Sequence, residues 1–312
     1  MFNKLLEKNP VDDQSGDKPD WIHARIALQT DRGAQLVLHH VCPAQDSETV
    51  RKADVLLAHG TFSNYRTCSG LARYLAERGH ACWLIDFEGH GCSSKVQPEP
   101  DFEELFLSGT LAALEYVEAR GDGKVHWVGH SGGGLAALMA VARKPELTSQ
   151  LHSLVMLGSQ ACDAAKPFTH RMTLRMFQLL TRMLGYVPAR ALRLGPENEV
   201  AAVMLQWYRW NLQGGWQGRN NFDYLQALQK HPTLSCVPVL GLAGSGDRFI
   251  APAPACRKLH ALLPGVDNVW QECGLSENFA EDYTHSRLIS SRPAAREIWP
   301  KVADWLASVE SR

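Results

Sequence analysis

The strongest constraint on this chain is a regular exchange between two residue patterns. Short apolar runs rich in β-branched and aromatic residues stand at VLLAHG (55–60), ACWLID (81–86), VHWVGH (125–130), SLVMLGS (153–159), VPVLGLAGS (237–245) and DNVWQEC (267–273). Runs of this kind suit strands covered on both faces. Helical periodicity lies between them at 67–78, 101–119, 131–143 and 252–263, and again at 293–310, where Pro300 marks a kink or a new helical start. The alternation predicts an α/β fold with a mostly parallel central sheet flanked by helices. Ahead of it, WIHARIALQT (21–30) and AQLVLHHV (34–41) flank Asp31-Arg32-Gly33, which predicts a hairpin and an antiparallel edge.

The alternation stops between 162 and 232. No strand pattern is evident there, but HRMTLRMFQLLTRML places Met172, Met176, Leu179, Leu180, Met183 and Leu184 at helical spacing, with Arg171, Arg175, Gln178 and Arg182 on the opposite face. A second segment, 197–212, puts Val200, Val203, Met204 and Trp207 on one stripe. Strand signals then resume. The expected organisation is therefore a polar leader over 1–20, a core built from 21–161 and 233–312, and a helical cap inserted at 162–232.

Overall charge excludes one class of function. With 32 Lys and Arg against 33 Asp and Glu, the chain has no general attraction for phosphate backbones, so no nucleic-acid partner is expected. Eight cysteines occur without a CxxC pair or zinc-type spacing, which fits free thiols in a reducing, cytoplasmic setting. No secretory segment and no run of 18 apolar residues is present, so no transmembrane segment is expected. The sequence does not fix an oligomeric state.

The chemistry concentrates where VHWVGH ends. Gly129-His130-Ser131-Gly132-Gly133 fits G-x-S-x-G, a sharp strand-to-helix turn that holds a serine in a strained conformation. The string alone is a weak signal. Its position after a strand pattern and before a helical one supplies the required context, and the helix N-terminus favours negative charge developing near Ser131.

On these residues the chain resembles the α/β-hydrolase fold superfamily over 55–310, in its serine-hydrolase, esterase- or lipase-like branch. The resemblance implies a nucleophile, an acid and a base in that chain order. Asp247, in VPVLGLAGSGDRFIAP, stands after the strand that follows the insert and is the expected acid; Asp267 is a poorer rival, and Asp282 is the backup. His285, in AEDYTHSRLI, follows the last strand pattern and is the expected base, whereas His260 precedes that strand. The family draws oxyanion donors from the residue after the nucleophile, here Gly132, and from the loop in LLAHGTFSNY, where Thr61 is expected and Phe62 is the substitute. His59 is read as structural. A metal set drawn from Asp86, Glu88, His90, His59 and His130 is not supported by spacing, and no metal or cofactor is expected.

A cap rich in Met, Leu and aromatic residues would roof the serine with apolar surface, so Phe62, His130 and Trp207 are candidate substrate contacts. The expected substrate is a small, hydrophobic carboxylic ester. Residues 164–196 carry Lys166, Arg171, Arg175, Arg182, Arg190 and Arg193 and no acid, which suits peripheral contact with an anionic membrane, a substrate phosphate, or a solvated face. An acyl-coenzyme A or acyl-carrier thioesterase and a non-catalytic ligand-binding homologue are the alternative functions.

Overall fold

In the computed structural model, which describes residues 5–8, 21–43, 50–120, 123–265 and 267–312, the apolar runs meet in one sheet. Its strands begin with β1 (Leu5–Lys8), β2 (Trp21–Gln29), β3 (Gln35–Pro43), β4 (Val55–Ala58), β5 (Cys82–Asp86), β6 (Val125–His130) and β7 (Leu151–Leu157). After a short separate pair, β8 (Tyr186–Val187) and β9 (Glu199–Val200), come β10 (Val239–Gly244) and β11 (Val269–Cys273). Among the described residues the sheet has nine strands in the order β1-β2-β3-β5-β4-β6-β7-β10-β11. Pairing is antiparallel from β1 through β3 to β5 and parallel from β5 to β11.

Both sheet faces are covered, which explains why the inner strands lack polar alternation. Leu56 and Ala58 of β4 join Trp127 of β6 in one core, while Val55 and Leu57 join Val128 in the other. Successive strand side chains point to opposite faces, so four consecutive apolar residues feed two cores. Helices α1 (Arg66–Ala76), α2 (Phe102–Glu118) and α3 (Gly132–Arg143) follow β4, β5 and β6. At the start of α2, the Asp101 side chain accepts from Glu104 N–H at 2.9 Å and the Glu104 carboxylate accepts in return from Asp101 N–H, a reciprocal capping box.

Between β7 and β10 the chain forms α4 (Phe168–Leu184), α5 (Ala201–Gln213) and α6 (Tyr224–Gln229). It then returns to α7 (Ala253–Ala261), α8 (Arg287–Ser290) and α9 (Arg292–Glu310). Helix α9 continues through Pro300 as one element rather than starting afresh there. Two further details differ from the sequence expectation. Leu5–Lys8 pairs with β2 instead of belonging to a loose leader, the rest of which (1–4 and 9–20) lies outside the described residues. The stretch expected to lack strands contains the β8–β9 pair, whose two-residue strands are too short to show a period.

Leu56 is fully buried on an interior strand. Leu56→Ala should cost about 2–5 kcal/mol of unfolding free energy, read as a lower urea midpoint at unchanged slope.

Candidate active site

Ser131 stands between β6 and α3 with φ 53° and ψ −120°, a conformation that side-chain-bearing residues rarely adopt. Its surroundings leave little choice. A Cβ on Gly129 would strike the backbone of Gly133 and Gly134, and one on Gly133 would strike the Ala58 carbonyl. The turn is held from three sides: Ser131 N–H donates to Leu157 O at 2.8 Å, Ser159 Oγ donates to Ser131 O at 2.8 Å, and Trp127 Nε1 donates to Gly133 O at 2.9 Å. Sequence-level glycine spacing thus corresponds to physical close approach between a strand and a helix start.

Asp247 follows β10, and His285 stands between β11 and α8. Asp247 Oδ2 lies 2.6 Å from His285 Nδ1 and 3.0 Å from Ala251 N, while Oδ1 lies 3.0 Å from Ile250 N. Burial alone would raise this carboxyl, but the His285 hydrogen bond and charge, with the two amides, outweigh it and hold it below the ordinary 3.8. An ionised carboxylate can only accept, so Nδ1 carries the hydrogen and the imidazole leaves its Nε2 lone pair available. Ser131, Asp247 and His285 line one cavity. No hydrogen bond among the described residues joins the Ser131 hydroxyl to the imidazole; such contacts are often long before substrate binds. The backup acid is elsewhere: Asp282 accepts from Ser245 Oγ and Leu275 N. Asp267 pairs with Arg312, and His260 faces the Val239 carbonyl.

Thr61 and Gly132 also line the cavity beside Ser131. An added Cβ on Gly60 would come within 2.6 Å of Ser131 Cβ and 3.1 Å of Gly132 N, so the loop passes directly over the serine. The Phe62 amide instead points at Glu199 Oε2, 3.5 Å away, and is poorly placed as an alternative donor to the cavity; its side chain lines the cavity. Phe62 has φ 63°, and its carbonyl accepts from Glu197 N at 3.0 Å. Asn64 Nδ2 donates to Glu197 Oε1 at 2.8 Å. Glu197 and Glu199, from the segment entering α5, therefore clamp the loop that carries Thr61. Sequence reasoning missed this clamp because its halves are more than 130 residues apart and follow no motif.

Two neighbouring histidines are shifted in opposite directions. His59 donates from Nδ1 to Gly60 O at 2.7 Å and accepts Phe87 N–H at Nε2, which requires a neutral ring. Burial first, then the charge of His90, lowers it to about 4. His90 faces acceptors on both sides, Glu88 O at 2.9 Å and Glu199 Oε2 at 3.1 Å, which requires an imidazolium. Burial opposes that charge, but Glu199 and the Glu88 carbonyl prevail and raise it above 6.5. Both histidines are thus structural. Asp86 is likewise spent on His39, Tyr65 N and Cys92 N, although His39, Asp86 and Cys92 converge closely enough to resemble a metal-ligand set.

His130 departs from the expected substrate contact. It is buried behind the site and does not line the cavity; its Nε2 donates to the His285 carbonyl at 3.0 Å. Burial, followed by the charge of His285, lowers it to about 3, so it stays neutral. The cavity, about 530 Å³, takes Leu174 and Phe177 from α4 and Met204 and Trp207 from α5. The stripe expected to roof the serine lies on the other side of α4: Met176, Leu179 and Met183 are 53%, 59% and 74% exposed. Helix α4 packs against α5 through the side bearing Leu174 and Thr181, which turns that stripe to solvent.

The His90–Glu199 pair generates a pH prediction. A histidine raised above 6.5 by folding contributes stability that is full below 6.5 and is lost as pH climbs through its folded value. The stability advantage of wild type over Glu199→Gln should therefore shrink as pH rises above 6.5, measured by urea unfolding.

A family model described as alpha/beta hydrolase fold matches residues 55–196. A protein of Gibberella zeae described as an AB hydrolase superfamily protein is 38% identical over 104 residues, which are 33% of this chain and 34% of that relative's length. Among solved structures, a soluble variant of monoglyceride lipase from Saccharomyces cerevisiae superposes with a TM-score of 0.66 at 17% identity, covering 91% of this chain and 94% of that one. An esterase from Exiguobacterium antarcticum gives 0.61 at 14% identity, covering 90% and 98%. These structural likenesses establish shared architecture. The strand order, the serine turn and these matches together show that the chain has the α/β-hydrolase fold.

Proposed function

We propose that this chain is a serine hydrolase that cleaves carboxylic esters with a hydrophobic acyl or alcohol group. The supporting observation is the Asp247–His285 pair at 2.6 Å, opening on the same apolar cavity as the strained Ser131. Ser131 Oγ attacks the ester carbon as its proton passes to His285 Nε2, and the Thr61 and Gly132 amides receive the oxyanion. Collapse expels the alcohol, which takes the proton from His285. Water then attacks the acyl-enzyme with His285 again as base, releasing the acid and restoring Ser131. Asp247 holds the productive tautomer and stabilises the imidazolium.

In this reading residues 162–232 are a cap on a core of 21–161 and 233–312, with Leu174, Phe177, Met204 and Trp207 shaping an apolar acyl site. Arg193 and Arg248 also line the cavity and support a second reading, a thioesterase whose substrate carries phosphates. Relative turnover of a p-nitrophenyl ester and an acyl-coenzyme A, compared with that of Arg193→Gln, separates the two.

A fluorophosphonate probe tests the main reading. Wild type should be labelled and hydrolyse a p-nitrophenyl ester, whereas Ser131→Ala should do neither. A folded wild-type protein that resists the probe and leaves esters intact would instead be a ligand-binding homologue. Asp247→Asn should lower kcat by about 10³–10⁴-fold at near-native stability. Gly60→Ala should lose comparable activity because its methyl meets Ser131 and Gly132; full activity would contradict the placement of this loop.

A further inference from the structure

The outer face of α4 carries a surface that the proposed reaction does not use. Met172, Met176, Leu179 and Met183 are spaced four, three and four residues apart, so they share one helix face, and all are exposed. Phe168, at the start of the helix, is 76% exposed. The exposed apolar residues continue along the chain in Tyr186, Leu192 and Leu194. A soluble domain rarely leaves so much contiguous apolar surface without an occupant. Arg175 and Arg182, seven residues apart, lie along the edge of this face rather than opposite it, because a step of about 100° per residue sets them roughly a quarter-turn from its centre; both are exposed and neither pairs with an acid among the described residues. Lys166 and Arg190, by contrast, are neutralised by Asp163 and Glu197.

We infer that this face docks on an anionic lipid bilayer, with α4 lying along the surface, its methionine and leucine side chains among the acyl chains and Arg175 and Arg182 at the headgroups. Charge selects this occupant. A symmetric contact between two copies would set the same patch against itself and bring Arg175 and Arg182 of both chains together. A negatively charged leaflet accepts the apolar stripe and the cations at once. Leu174 and Phe177, on the inner side of the same helix, line the cavity, as do Arg193 and Leu194. The docked helix is thus also a wall of the acyl site, so membrane docking would place that site beside lipid esters. Docking itself requires no catalysis, which keeps its test independent of the proposed hydrolysis.

The test is sedimentation with vesicles of phosphatidylcholine alone and of phosphatidylcholine containing about 30% phosphatidylserine. Wild type should bind the mixed vesicles more tightly, and raising salt from about 0.1 M to about 1 M should weaken that preference. Each cation at an anionic leaflet is worth about fivefold in binding, so Arg175→Gln with Arg182→Gln should bind about 25-fold more weakly. Met176→Glu with Met183→Glu should abolish binding. Both double variants alter exposed side chains and should keep the wild-type circular dichroism spectrum and fluorophosphonate labelling. Failure of folded wild type to sediment with mixed vesicles would overturn the inference. So would equal binding by the methionine variant, or a vesicle-indifferent wild-type dimer that the same variant dissociates, which would assign the face to a second copy.

Discussion

Everything chemical in this structure depends on how closely the start of α3 approaches the ends of β4 and β6. The approach is tight enough that neither Gly129 nor Gly133 could carry a side chain, and it leaves Ser131 at φ 53°. A conformation of this kind costs on the order of 1–3 kcal/mol and persists only where the surroundings determine it more strongly than the residue itself. Here the determinants are the Leu157 carbonyl, the Ser159 hydroxyl, the Trp127 indole and a helix buried along nearly its whole length. The strain has a geometric consequence: the side chain is placed at the cavity floor instead of in a strand or helix pattern.

Around that serine, hydrogen-bond partners sort four histidines into different roles. His59, with one acceptor and one donor as neighbours, is neutral; His90, between two acceptors, is charged. His130 is buried with a single acceptor, the backbone of His285, and supports the segment that carries that residue. His285 alone of the four faces both the cavity and a carboxylate. The same accounting places Asp247 with the imidazole and removes Asp282, whose carboxylate is committed to Ser245 and Leu275. Glu197 and Glu199 extend the arrangement into the segment entering α5, so the loop over the serine is fixed partly by residues next to a helix that lines the cavity.

The parts legible in the sequence were those with a local period or a rigid turn. Strands β4 to β7, β10 and β11 announced themselves as apolar runs because both sheet faces are covered, and the serine turn was visible because its glycines are spaced by contact. Asp247 and His285 could be proposed because the resemblance restricts them to strand ends. What escaped was either too short for a pattern, as with β8 and β9, or held together over long separations, as with Glu199 and His90. The orientation of α4 was misjudged for another reason. Periodicity reveals that a helix has an apolar face but not what that face meets; here Leu174 and Thr181 face α5 while the methionines face solvent.

The most direct test of the serine-centred account is the crystal structure of a phosphonate adduct. The account predicts phosphorus bonded to Ser131 Oγ, with its oxygen about 2.7–3.1 Å from the Thr61 and Gly132 amides and His285 Nε2 within hydrogen-bond reach of Oγ. An adduct on any other residue, or one whose oxygen is turned away from both amides, would contradict it.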